Sequence, residues 1–370
     1  MSKIHHQTRA FGAPSRYIQG RYEIERLKEY TDAYGGRVLI LIDTFFYGTY
    51  GKKFQGMFEN TPEKILVQEF SGEITAEKID KIADSVKDFQ PNVVVGMGGG
   101  KTMDTAKAVS DLYKAATVII PTTASTDAPT IGLSVIYTEE GEHVGARHYV
   151  KNPDLVLLDT DIIAKAPSRF FVAGMGDALS TYIEARANFQ SHSPNYVGKG
   201  FCSTIAVEAI AKACHETILK KGYLALTAVK NGLCTVDVED VIEANTLLSG
   251  LGVQNASCAG AHSIAEGITV IPECGKLYHG EAVAFGVLVQ LVVEGRPTEE
   301  IEQMYDFFGK VGLPSTFEML GIKAVTDDEL KKVAEESLRS YWDVEPFEVS
   351  AQMIFDAMKM ADALGRAHSA

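Results

Sequence analysis

Residues 93–107, VVVGMGGGKTMDTAK, constrain this chain more than any other stretch. An unbroken apolar run passes directly into Gly96, Gly98, Gly99 and Gly100, and then into a helical pattern. A strand without polar alternation is buried on both faces, which calls for a parallel sheet covered by helices on each side. The strand candidates are 37–43 (RVLILID), 92–95 at the head of this stretch, 117–120 and 154–159 (DLVLLD). Between the first two, residues 76–89 repeat Ile79, Ile82, Ala83 and Val86 at helical spacing. Residues 134–137 and 146–150, flanking EEGEH, predict an antiparallel hairpin or loop excursion.

After Pro167 the pattern changes. Helical periodicity covers 178–187, 204–221, 238–250, 282–294, 299–309 and 351–364. The expected fold is an α/β N-terminal dinucleotide-binding domain, 1–166, followed by an all-α domain, 167–370, that carries metal and catalysis. A composition that is 46% hydrophobic supplies a core for both. The formal charge of -14 repels phosphate backbones and anionic lipid, so neither nucleic acid nor a membrane is the expected partner. No apolar run approaches the roughly 20 residues of a membrane span. The start, MSKIHHQTRAFGAPSRY, lacks the central apolar region of a signal peptide. A cytoplasmic protein is expected, with five reduced cysteines that form no CxxC pair.

The glycine cluster reads as a phosphate-binding turn. Glycine admits close approach of a ligand to the backbone, and the helix that follows offers unpaired N–H groups and a positive dipole end. Neither standard motif fits. G-x-G-x-x-G needs glycine where Lys101 stands, and the nucleotide-triphosphate loop needs glycine where Val95 stands. Asp43 ends the strand LILID, where a carboxylate can meet an adenine-ribose 2′-hydroxyl and disfavour a 2′-phosphate. That favours NAD over NADP. The alternative for Asp43 is a helix cap.

Asp177 (GMGDALSTYIEA), His262 (AGAHSIAEG) and His279 (LYHGEAVAFG) form a candidate metal set, each beside small residues. Two imidazoles and one carboxylate leave coordination positions open, as in catalytic rather than structural sites. The set suits Zn²⁺ and also Fe²⁺. Spacing alone leaves open that either histidine is an ordinary core residue, and that Cys258 or Cys274 adds a thiolate.

The segments GMGGGKTMDTAKAV, PTTASTDAPTIGLSVIY, KNPDLVLLDT, AGMGDALSTYIEARA, EANTLLSGLG and YHGEAVAFG together resemble the glycerol dehydrogenase branch of the iron-containing alcohol dehydrogenase superfamily. The resemblance runs from about Tyr17 to about Gly312. It implies an α/β domain that binds NAD, a helical domain, and an active site in the cleft between them. It puts metal ligands on Asp177, His262 and His279. It puts pyrophosphate contacts on Gly98, Gly99, Gly100, Lys101 and Thr102, and a ribose contact on Asp43. Further cofactor contacts fall on Thr122, Ser125, Leu133 and Tyr137, and a substrate-site acid falls on Asp127.

Four departures cluster near the substrate. VQNASCAGAH replaces a typical FESGGLAAAH, and Ala265 stands where a second histidine is usual. Ile131 replaces a serine that touches cofactor, and ESLRSYWDVEP replaces an Ile-His-Asn element. The expected cofactors are NAD and one divalent metal, Zn²⁺ ahead of Fe²⁺. The expected reaction is reversible oxidation of glycerol to dihydroxyacetone, or of propane-1,2-diol or butane-2,3-diol to its hydroxyketone, in a homo-oligomer. A lyase resembling dehydroquinate synthase shares NAD and zinc but needs basic residues for an anionic substrate, and few flank these metal segments. A P-loop ATPase is disfavoured by Val95.

Overall fold

The computed structural model describes residues 8–198 and 200–369, so the first part of the MSKIHHQTRAFGAPSRY start lies outside the described residues. Two compact units form. One comprises Ala13–Ala124 with Ala128–Ala166. The other comprises Pro167–Ala370, Ser125–Asp127 and the described part of Met1–Gly12.

The first unit is α/β. Among the described residues its strands are β1 (Tyr17–Gly20), β2 (Val38–Asp43), β3 (Ile65–Phe70), β4 (Val93–Gly98), β5 (Ala116–Pro121), β6 (Leu133–Tyr137), β7 (His143–His148) and β8 (Leu155–Asp159). Six of them make one parallel sheet in the order β1-β8-β5-β4-β2-β3. Side chains along a strand point alternately to the two faces. Val38, Ile40 and Ile42 therefore join Val93, Val95, Val118 and Ile120 in one core. Leu39, Leu41, Val94 and Ile119 pack with Met103, Ala106 and Val109 in the other. Each such burial is worth about 1.5–3 kcal/mol on both faces, which is why these strands carry no polar alternation. The hairpin forms as β6 and β7, antiparallel with an irregularity at Ile136/Tyr137, and ends before the expected Val150.

Strands β1 and β3 escaped the pattern because they are half-buried edge strands, and β1 is only four residues long. The Thr44–Met57 helix also escaped it. Its sequence TFFYGTYGKKFQGM is aromatic and glycine-rich, a poor advertisement for a helix.

The second unit is helical: Ser168–Ser191, Ile205–Lys230, Val236–Glu243, Ser249–Ala256, Gly260–Gly267, His279–Val293, Thr298–Val311, Asp327–Ser337 and Ala351–Ser369. The helix expected over 238–250 forms and continues to Ala256, but it is not regular throughout. A π-helical turn at Ala244–Leu248 interrupts it. Asp327–Ser337 carried a readable start signal. Thr326 and Glu329 cap each other, with Glu329 N donating to Thr326 Oγ1 at 3.2 Å and Thr326 N to Glu329 Oε2 at 2.8 Å. Among the described residues, no helix is long and apolar enough to cross a membrane.

Candidate metal centre and nucleotide-binding turn

Asp177 lies within Ser168–Ser191, His262 in the first turn of Gly260–Gly267, and His279 at the head of His279–Val293. The fold brings them together. Asp177 Oδ1 is 3.7 Å from His262 Nε2 and 3.5 Å from His279 Nε2. The small neighbours make this approach feasible. A Cβ at Gly280 would lie 1.8 Å from the Ala173 carbonyl oxygen, so the two helices meet backbone to backbone. Asp177 and His262 are buried, while His279 is exposed on one side.

Asp177 Oδ1 is buried and accepts no hydrogen bond. Such an oxygen is costly unless something cationic satisfies it. Facing two imidazole nitrogens, it fits a divalent cation with coordination positions left over. Cys274 is not a member of this group, and Cys258 lies on the other side of His262, with Glu184.

Glu184, unremarked in the sequence, orients His262. Its Oε2 is 2.7 Å from His262 Nδ1, and its Oε1 accepts from Ala259 N at 2.8 Å and His262 N at 2.9 Å. A carboxylate only accepts, so Nδ1 carries a proton and Nε2 is the nitrogen left to offer a lone pair toward Asp177. The available signal was spacing. Glu184 follows Asp177 by two helical turns and so shares its face.

Asp127 joins the same unit. Its N–H donates to Asp177 Oδ2 at 3.4 Å, and its Oδ2 accepts from Ser249 Oγ at 3.2 Å. Burial and then the charge of Asp177 push Asp127 up to about 7. Burial pushes Asp177 up to about 6, against the pull of His262. A cation among these groups reverses both pushes. Ser249 follows directly on the π-helical turn and also pairs with Thr181 Oγ1 at 2.9 Å. Such turns recur at functional sites because they re-aim the side chains after them.

His279 is held by its helix start. Glu281 accepts from Tyr278 N at 2.8 Å and takes a bidentate pair from Arg169, at 2.6 and 2.7 Å. The Arg169 guanidinium lies 4.6 Å from the Tyr278 ring centroid.

The nucleotide candidates Asp43, Gly98, Gly99, Gly100, Lys101, Thr102, Thr122, Leu133 and Tyr137 lie in the α/β unit, whereas Ser125 groups with the helical one. Gly98 is required by packing: a Cβ there would come within 2.7 Å of Thr102 Oγ1 and 2.9 Å of Asp43 Cβ. Thr122 N donates to the Gly98 carbonyl at 3.2 Å, tying β5 to the turn. A Cβ on Gly99 or Gly100 would meet no protein atom within 4 Å. These two glycines face open space at the start of Gly100–Tyr113, whose first-turn amides have no side-chain cap. That is the cradle an anionic phosphate group fits.

Asp43 does cap the next helix, accepting from Phe45 N at 2.9 Å through Oδ1. Lys101 is half-exposed and paired with Glu73. Leu133 C=O accepts from the buried Lys107 Nζ at 3.0 Å. Tyr137 is half-buried against the sheet core, and burial raises its phenol.

Comparison with known proteins places this geometry. Residues 14–160 match the iron-containing alcohol dehydrogenase family. The chain is 43% identical to the glycerol dehydrogenase of Thermotoga maritima, over 95% of this chain and 96% of that one. It is 38% identical to the glycolaldehyde reductase of Halobacterium salinarum, over 97% and 98% of the two chains. The crystal structure of glycerol dehydrogenase from Schizosaccharomyces pombe superposes with a TM-score of 0.92 at 36% identity, covering 98% of this chain and 92% of that one.

Proposed function

Because the chain belongs to the iron-containing alcohol dehydrogenase family, whose members are NAD-dependent and metal-binding oxidoreductases, we propose that it reversibly oxidises glycerol or a related small vicinal diol to the hydroxyketone. The observation that carries this reading is the buried, unpaired Asp177 Oδ1 facing the Nε2 atoms of His262 and His279. Those three residues would hold the divalent cation, with Zn²⁺ ahead of Fe²⁺ for a set with two imidazoles. When bound, the cation supplies Lewis acidity to the hydroxyl being oxidised, and NAD supplies the hydride acceptor.

The chain's own residues do the rest. Glu184 fixes the His262 ring so that Nε2 faces the ligand position. Asp127, held by Ser249, orients a substrate hydroxyl and accepts its proton. The open turn at Gly98–Thr102 receives the pyrophosphate on backbone amides. Lys101 is free to exchange Glu73 for phosphate, because an exposed ion pair is worth at most about 1 kcal/mol. Asp43 offers its second oxygen to the ribose 2′-hydroxyl. On this reading 1–166 is the NAD-binding domain and 167–370 the metal-binding one, with Asp127 contributed to the latter's site.

Glycerol and glycolaldehyde, for which two of the relatives are named, both carry an oxygen on the carbon beside the reacting one. A site built for that oxygen is left with an unpaired polar group when it is missing, at a cost of roughly 1–3 kcal/mol. NADH formation should therefore give kcat/KM for glycerol, propane-1,2-diol or butane-2,3-diol about tenfold or more above that for propan-1-ol. Propan-1-ol equalling every diol would defeat the proposal.

A further inference from the structure

Behind His262, on the side away from Asp177, lies a second set of donors. Glu184, Cys258 and His262 are all buried, and one donor atom from each lies within 4.8 Å of the others. They come from three places: the Ser168–Ser191 helix, the link before Gly260–Gly267, and that helix itself. The backbone is strained to achieve this. Ser257 has φ 74 and ψ 170, a conformation suited to glycine, and it turns Cys258 inward. The Tyr196 hydroxyl accepts from Cys258 N at 3.3 Å and closes the pocket.

We infer that Glu184, Cys258 and His262 Nδ1 form an inner site for a thiophilic divalent cation, Cd²⁺ or excess Zn²⁺, and that filling it blocks the outer site. Thiolate, imidazole and carboxylate are the donor types such cations take. Binding releases the Cys258 thiol proton to solvent as the metal–sulfur bond forms. The neutral imidazole has one lone pair. If Nδ1 gives it to the inner cation, the ring proton moves to Nε2, which can no longer serve Asp177 and His279. The two positions thus exclude each other through the tautomer of one ring. The exclusion rests on the proposed catalytic metal set, whereas the inner site itself does not.

The probe is Cd²⁺ titrated into the purified protein, read by its ultraviolet thiolate-to-cadmium band and, in parallel, by NADH formation. Wild type should develop the band as activity falls. Cys258→Ser and Cys258→Ala, each checked for native circular dichroism, should lose one thiolate's share of it. The concentration of Cd²⁺ needed to inhibit them should rise about tenfold or more, since losing even an indirect partner of a metal costs roughly that. His279→Ala should keep the band, because it touches only the outer set. A wild-type protein without the band, or Cys258 variants that retain all of it, overturns the inner site. A band that forms with no loss of activity overturns the exclusion and, with it, the shared role of His262.

Discussion

The glycine turn at the end of β4 and the Asp177–His262–His279 cluster are built on opposite plans. The turn is local. Gly98, Gly99, Gly100 and the helix they open are consecutive, and the groups they offer are backbone amides. The cluster is assembled from three helices whose sequence positions span 177 to 279, and what it offers is side chains that other side chains must aim. A local backbone site tolerates its surroundings and fails only when its own space is filled. An assembled side-chain site depends on each buried partner. Changes at the cluster should therefore be larger and spread further than changes at the turn.

The largest effect should come from the ligands. His262→Ala and His279→Ala should each lose bound metal and lower kcat/KM by about a thousandfold or more, since Lewis-acid stabilisation is worth several kcal/mol and each 1.4 kcal/mol is tenfold. Metal analysis beside NADH assays checks both. Retained metal with normal turnover would remove either histidine from the set.

Glu184→Gln comes next. It touches no expected ligand except His262, yet it removes the charge that holds Nδ1–H. Metal affinity, measured by competition with a chelator, should weaken roughly 10–100-fold with the fold intact. An unchanged affinity would mean the cluster is less interdependent than the hydrogen bonds imply.

The smallest effect should come from the turn. Gly99→Val places a side chain where the protein has none, so thermal stability should hold. NAD affinity should fall about tenfold or more, a loss of some 1.4 kcal/mol, while metal content stays the same. Native NAD affinity in this variant would show that the phosphate does not sit over Gly99.

The same contrast explains what the sequence discloses. Central strands are legible because burial on both faces leaves continuous runs such as VLILID and VVVGMG. Edge strands β1 and β3 are not, since half-burial relaxes the pattern. The helix Gly260–Gly267 is short and made of small residues, and only its tertiary neighbours establish it: Trp342, for instance, packs where a Cβ on Gly260 would be 2.6 Å away. Asp177, His262 and His279 could be chosen by residue type and by resemblance. Spacing puts Glu184 on the same helix face as Asp177, seven residues on, but its role is not legible there, because its partner His262 lies 78 positions along the chain. The π-helical turn that aims Ser249 leaves no periodic signature in EANTLLSG. Sequence pattern reports burial and local conformation, whereas hydrogen bonds between distant elements must be read from coordinates.

If the metal cluster and the nucleotide turn are separate sites that both serve one oxidation, cofactor binding should survive when turnover is lost. Stripping the metal with a chelator and then measuring NADH binding by fluorescence, alongside turnover with glycerol or butane-2,3-diol, tests it most directly. Turnover should be lost, NADH affinity should stay within about twofold because the glycine turn offers backbone amides that need no metal, and activity should return when Zn²⁺ is added back in stoichiometric amount. Full turnover by the metal-free protein would contradict it.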